Sequence, residues 1–212
     1  MTVLYKAIDV WTVYSVFMSG LKPLLSLFRL REQEDEEWTV DFSCWEVPFT
    51  LYPSRLLAEK FARYSARRSR GYSPAALLKV CITTKTLKDK LKIKAFGDGE
   101  GKGNEEEWKK VVWINRVEED PAIDVANGVP NPVADMWGLD LVVGKVSCNK
   151  GKAIVKMASW EEISGDNVLM VDGGGGLETA VQYSFLGEDC FLELDMDARL
   201  EIAHVRGCEG WM

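Results

Sequence analysis

At 212 residues, 47% hydrophobic and 28% charged, the chain suits one hydrophobic core with room for an appended arm, and its composition excludes disorder over most of its length. A single histidine and five scattered cysteines (Cys44, Cys81, Cys148, Cys190, Cys208) form no CxxC pair. This excludes zinc knuckles, thioredoxin-type centres and multi-histidine zinc sites, and leaves buried thiols in a reducing, intracellular compartment as the expectation.

The first apolar stretch, residues 10–21 (VWTVYSVFMSGL), carries no charge, and Lys22-Pro23 separates it from a second short run ending at Phe28. A spanning helix needs about 20 continuous apolar residues, so a membrane span is not expected. Lys6 is offset by Asp9 and no small-residue cleavage site follows, so no signal peptide is expected either. Trp11, Tyr14, Phe17 and Leu21 recur at helical spacing and form an aromatic stripe. That stripe fits a buried helix, a membrane-surface helix or an arm docked on a neighbouring subunit. The predicted organisation is an apolar N-terminal arm or helix over 1–31, an acidic solvated connector over 32–37, and a single α+β domain over 38–212.

Within the domain, residues 38–42 (WTVDF) alternate and predict a strand, extending toward Trp45. Ser54 is a candidate N-cap for a helix whose Leu56, Leu57, Phe61 and Tyr64 share a face. After an Arg-rich connector, Ser73-Pro74 predicts the start of a second helix over 75–83. Leu91, Ile93 and Ala95 alternate with lysines and predict an edge strand. Further strands are predicted over 111–117, 139–147, 153–160, 168–171, 177–186, 190–194 and 200–205. The expected fold class is α+β, a meander-like antiparallel sheet with two or three helices packed on one side.

The motifs that suggest chemistry dissolve on inspection. Gly173 to Gly176 precede an alternating stretch rather than a helix, so they predict a hairpin and not a phosphate loop. GDGEGKG, residues 97–103, has neither P-loop spacing nor the oxygen ligands of a calcium loop. Asp195 and Asp197 are too few for a metal and predict a turn. His204, alone in an alternating stretch, is expected to be structural. Acidic pairs abound, but nothing selects one as a general acid and base. No cofactor, metal or catalytic residue is therefore expected.

Charge carries more information. Residues 55–94 hold 12 Lys or Arg against only Glu59 and Asp89, and the rest of the chain holds 14 against 31 Asp or Glu; the net charge of −7 is the sum of +10 and −17. Such a split predicts one basic face suited to a phosphate-rich or acidic partner, or else a solvated helix face answered by acidic neighbours in the fold.

The order of features over residues 38–88 resembles part of the matrix proteins of rhabdoviruses, those of the vesicular stomatitis type. These features are a strand with Thr39-Val40, then Pro48-Phe49 and Tyr52, a helix, an exposed connector with Gly71, Pro74, a second apolar helix, and Leu87-Lys88. The resemblance implies a protein that self-associates, coats the inner face of an envelope and condenses a nucleocapsid, in virion and host cytoplasm. It further implies that Arg55, Lys60, Arg63, Arg67, Arg68, Arg70 and Lys79 contact anionic lipid or nucleoprotein, with the N-terminal arm as an assembly or membrane element. The expected function is thus a non-enzymatic assembly protein. The alternatives are an accessory subunit of a membrane-associated complex and a lipocalin-like ligand-binding β-barrel. The leading reading requires the basic side chains to gather on one exposed surface without carboxylates to neutralise them.

Overall fold

Alternation governs the first residues of the chain: in the computed structural model Thr2–Asp9 form strand β1, with Leu4 and Ile8 buried on one face. The structure describes residues 1–9, 41–42, 48–68, 75–97, 102–103, 105–117, 136, 138–148, 153–172, 175–186, 190, 194 and 198–203. The segment expected as an N-terminal arm therefore begins as a sheet strand. Trp11, Tyr14, Phe17, Leu21 and the connector over 32–37 lie outside the described residues.

After β2 (Phe49–Leu51) comes helix α1 (Arg55–Arg68), then β3 (Ala75–Ile82). β3 corrects the second helix predicted over 75–83. It is the central strand of a three-stranded antiparallel sheet, between β1 and β10 (Arg199–Ala203). Ala76, Leu78, Val80 and Ile82 face the main core, and Leu77 packs beneath α1. A strand covered on both faces reads as an unbroken apolar run, which periodicity does not distinguish from a buried helix.

The remaining strands are β4 (Ile93–Phe96), β5 (Lys102–Gly103), β6 (Leu141–Lys145), β7 (Met170–Asp172), β8 (Leu177–Thr179) and β9 (Val181–Phe185). Four of these strands join β2 in a mixed five-stranded sheet in the order β2-β9-β6-β4-β5, antiparallel at β2/β9 and β9/β6 but parallel at β6/β4 and β4/β5. β4 is thus an interior strand, not the predicted edge. Its parallel neighbours break the up-and-down order of a lipocalin barrel, whereas the second-half strands pair antiparallel with one another, β6 with β9 and β7 with β8. Reciprocal backbone hydrogen bonds between Tyr5 and Tyr52, at 2.7 and 2.8 Å, join the two sheets.

The inner faces of both sheets share one core, with Leu4, Leu78 and Val80 meeting Phe49, Leu51, Leu141 and Phe185. Helix α1 covers the outer face of the three-stranded sheet through Ala58 and Ala62. Helix α2 (Glu105–Val117) covers the outer face of the five-stranded sheet, with Trp108, Val111 and Val112 on Phe96 and Val142. The helices therefore lie over different sheets and not on one side of a single sheet.

Helix α2 replaces the strand predicted over 111–117. Burial at Trp108, Val111, Val112 and partly at Asn115 follows helical spacing, and three glutamates open its first turn while Arg116 closes its last. In α1 the Ser54 hydroxyl accepts the Leu57 N–H at 3.2 Å, the predicted cap. Its buried stripe, however, is Leu57, Ala58, Glu59 and Ala62; Leu56 and Tyr64, expected inside, are 46% and 49% exposed.

Three smaller expectations also change. The strand over 153–160 is a pair of 3-10 turns, Ile154–Lys156 and Trp160–Glu162, in which Ile154 alone is fully buried. Cys190 and Leu194, read as strand, are helical and enter the main core together at one-turn spacing. Asp41 and Phe42 form a turn, not a strand end. The glycine run does join a hairpin: β7 and β8 pair antiparallel from Asp172↔Leu177 to Met170↔Thr179, and Gly176 sits at φ +147°, a conformation that favours glycine.

Candidate anionic-partner surface

The seven basic residues singled out from the sequence do not form one free surface. Glu59 is buried in α1, one helical turn from Arg55 and from Arg63. The Arg55 Nε donates to its Oε1 at 2.9 Å, and an Arg63 Nη lies 3.6 Å from its Oε2. One carboxylate thus answers two guanidinium groups. Lys60, on the outer side of the helix, is exposed.

Lys79 faces Glu201 across the β3/β10 ladder, and its Nζ donates to Oε2 at 2.8 Å. This hydrogen bond holds the Lys79 amine above its ordinary range and the Glu201 carboxyl below its own. Arg199 adds a second contact to Glu201 at 3.1 Å. Arg67 and Arg68 lie in the last turn of α1, with side chains outside the described residues, as is Arg70 altogether. Carboxylates therefore meet Arg55, Arg63 and Lys79, which corrects the expectation of an unneutralised cluster.

The second half of the basic segment behaves differently. Between β3 and β4 the chain makes a short helical turn that widens to π geometry over Thr86–Lys90. Thr83 starts it: its Oγ1 accepts the Thr86 N–H at 3.0 Å, and its carbonyl accepts the Leu87 N–H at 3.2 Å. Leu87 and Leu91, four residues apart, plug the main core. With those two positions turned inward, Lys85, Lys88, Lys90 and Lys92 are all exposed, and the only carboxylate among them is Asp89. Asp140 fixes the exit of the turn by accepting the Lys92 N–H at 2.8 Å through Oδ2 and donating its own N–H to the Lys92 carbonyl at 3.0 Å. Lys94, the next lysine, is withdrawn into a salt bridge with Glu107 of α2. Aliphatic side chains, Met1 and Ile93, flank the exposed lysines and are themselves exposed.

A second polar centre is structural. Asp41, buried in the turn before β2, accepts from Arg116 Nε at 2.9 Å, from the Ser147 N–H at 2.7 Å, from Gln182 Nε2 at 3.0 Å and from the Ser147 hydroxyl. Asn115 Nδ2 also donates to its main-chain carbonyl at 3.2 Å. Both carboxylate oxygens are fully engaged, which ties the turn to α2, β6 and β9 and leaves no lone pair directed at a substrate.

Among the described residues no group of three His, Cys, Asp or Glu side chains gathers in a metal-binding arrangement. Cys81 and Cys190 are buried thiols and Cys148 is half-buried. Asp195, Asp197, His204, Cys44 and Cys208 lie outside the described residues. No helix among the described residues is long and apolar enough to cross a membrane.

Comparison with known proteins adds no assignment: no family model matches the chain, and neither a curated protein nor a solved structure matches it. The fold itself is α+β. Of the two helices expected within residues 38–88, the one after Ser54 is present, whereas the second is strand β3.

Proposed function

We propose that this protein is a non-enzymatic binding and assembly protein that docks on an anionic surface through the lysine turn between β3 and β4. The observation that carries this reading is the joint exposure of Lys85, Lys88, Lys90 and Lys92 on a turn anchored from beneath by Leu87 and Leu91. An anchored turn presents its charges without a large ordering cost on binding.

A lipid headgroup surface fits this turn better than nucleic acid does. The exposed neighbours, Met1 and Ile93, are aliphatic, and no aromatic residue lies in the turn to stack on a base. Lys85, Lys88 and Lys92 stand exposed beside Asp89 and Asp140. Each basic residue near an anionic leaflet contributes about 1 kcal/mol to partitioning. In its fuller form the proposal is a matrix-type protein linking a membrane to nucleoprotein; that part rests on the resemblance over residues 38–88 alone.

Flotation with phosphatidylserine-containing vesicles tests the reading. The protein should float with them at low salt, stay behind with pure phosphatidylcholine vesicles, and be released as salt screens the contact. Equal recovery with both vesicle types, or none with either, would overturn it.

A further inference from the structure

The three-stranded sheet has the order β1-β3-β10, and the far side of β1 is engaged by Tyr52, which leaves β10 at the edge. The Tyr5–Tyr52 bridge also fixes the direction of the backbone groups in β10. Tyr5 gives both its N–H and its carbonyl to Tyr52, so these groups turn away from β3, and Tyr5↔Lys79 is a pair without ladder bonds. Lys79 therefore aims its own N–H and carbonyl at β10, where Glu201 stands opposite. Because these directions alternate along a strand, Glu201 faces β3, and the N–H and carbonyl groups of Leu200 and Ile202 face outward. Among the described residues no strand pairs with that side of β10.

The side chains leave the same edge open. Leu200 and Ile202 stand opposite Val80 and Leu78, so they share the inner face of the sheet with the main core. Leu200 is only partly buried against that core, and Ile202 is 40% exposed. Arg199 and Glu201 lie on the outer face, and the Arg199 side chain is 80% exposed. The strand holds no proline or lysine and pairs with β3 residue for residue without a bulge, so it lacks these common guards against strand addition.

We infer that a second copy of this chain adds to this edge, β10 against β10, antiparallel about a two-fold axis at Leu200. The charges of β10 itself select that occupant. With the axis at Leu200, Arg199 of each copy stands opposite Glu201 of the other. Moving the axis by one residue sets Arg199 against Arg199 or Glu201 against Glu201, like charges in direct opposition. In the favoured register the two Leu200 residues exchange both backbone hydrogen bonds, and Ile202 stands opposite Ala198 of the second copy. Their side chains meet on the inner face and extend the core across the axis. The two three-stranded sheets become one of six strands, and the contact closes at two copies. This contact goes beyond the surface docking proposed above and uses no residue of the lysine turn.

Sedimentation velocity on the full chain provides the test, with circular dichroism checking that each variant folds. The wild-type protein should approach twice the monomer mass as concentration rises and go no further. I202P removes an outward N–H and no bond to β3, so it should fold and remain monomeric. R199E should weaken the dimer roughly tenfold, because both cross-strand charge pairs become repulsive. K79E/E201R keeps the ion pair between β3 and β10 with its signs exchanged, and it too should dimerise weakly alone. An equimolar mixture of R199E and K79E/E201R restores opposite charges at both positions and should recover wild-type association. A folded I202P that dimerises like wild type, a mixture no tighter than its components, or growth past two copies would each overturn the proposal. A monomeric wild type would overturn it as well, and would leave the edge to a strand of another protein.

Discussion

Replacing Gly144 by Ala places a methyl group where the fold has no room. Gly144 lies in β6 opposite Gln182, and a Cβ there would sit 2.6 Å from Phe42 Cζ and 3.1 Å from its Cε2. The Phe42 ring is fully buried and stacks on Phe96 with centroids 5.6 Å apart, so it has little freedom to retreat. Its backbone cannot slide either, because the adjacent Asp41 is held by Arg116, Ser147 and Gln182. Overpacking of this kind costs about 1–3 kcal/mol, offset by up to about 1 kcal/mol from the smaller unfolded-state entropy of alanine. The expected net loss is about 1–2 kcal/mol, which lowers the melting temperature of a chain of this size by about 2–8 °C. Chemical denaturation of G144A, F42A and the double variant measures it. In the F42A background the added methyl should cost nothing. G144A as stable as wild type, or a penalty that persists without the Phe42 ring, would refute the packing argument.

Two further outcomes follow from the polar contacts. Asp41→Asn removes the charge that answers Arg116, whose side chain is only 14% exposed. It should cost about 3–5 kcal/mol, the usual penalty for stranding a buried partner, read as a lower denaturation midpoint. The Lys79–Glu201 pair makes the docking of β10 sensitive to pH. Because the Glu201 carboxyl is held below 4.5, its contribution is complete above that value and lost as pH falls through the lower folded pKa. Lys79 is held above 10.5, so its contribution is complete below that value and lost as pH rises through the higher folded pKa. Hydrogen exchange of the β10 amides should therefore accelerate at acid pH relative to the β6 amides. Glu201→Gln should remove the acid-side dependence, and an unchanged pH profile in that variant would contradict this account.

The features legible in the sequence were those with local causes. Ser54 caps α1 through the next turn of chain, and the alternation over 177–186 became β8 and β9 with a break only at Ala180, where the strand changes partner. The apolar run of β3 reads as a helix because it is buried from both sides, and burial is a property of the neighbours. Residues 111–117 taken alone read as a strand because the helical spacing becomes visible only from Trp108 onward.

At the candidate surface the excess charge was visible but its location was not. The spacing Arg55, Glu59, Arg63 is itself a helical ion-pair signature and could have marked those arginines as neutralised. Lys79 and Glu201 are 122 positions apart, so only the β3/β10 register reveals that pair. Within the lysine turn, the spacing of Leu87 and Leu91 was the available sign that the lysines between and beside them face outward.

Vesicle flotation of two variants side by side tests the central claim most directly. K85E/K88E/K92E should lose binding to phosphatidylserine vesicles by at least roughly a hundredfold, while R55Q/E59Q/R63Q, which removes the two α1 guanidinium groups together with the buried carboxylate they share, should bind like wild type. Loss of binding in the arginine variant with retention in the lysine variant would place the contact on α1 and contradict the account.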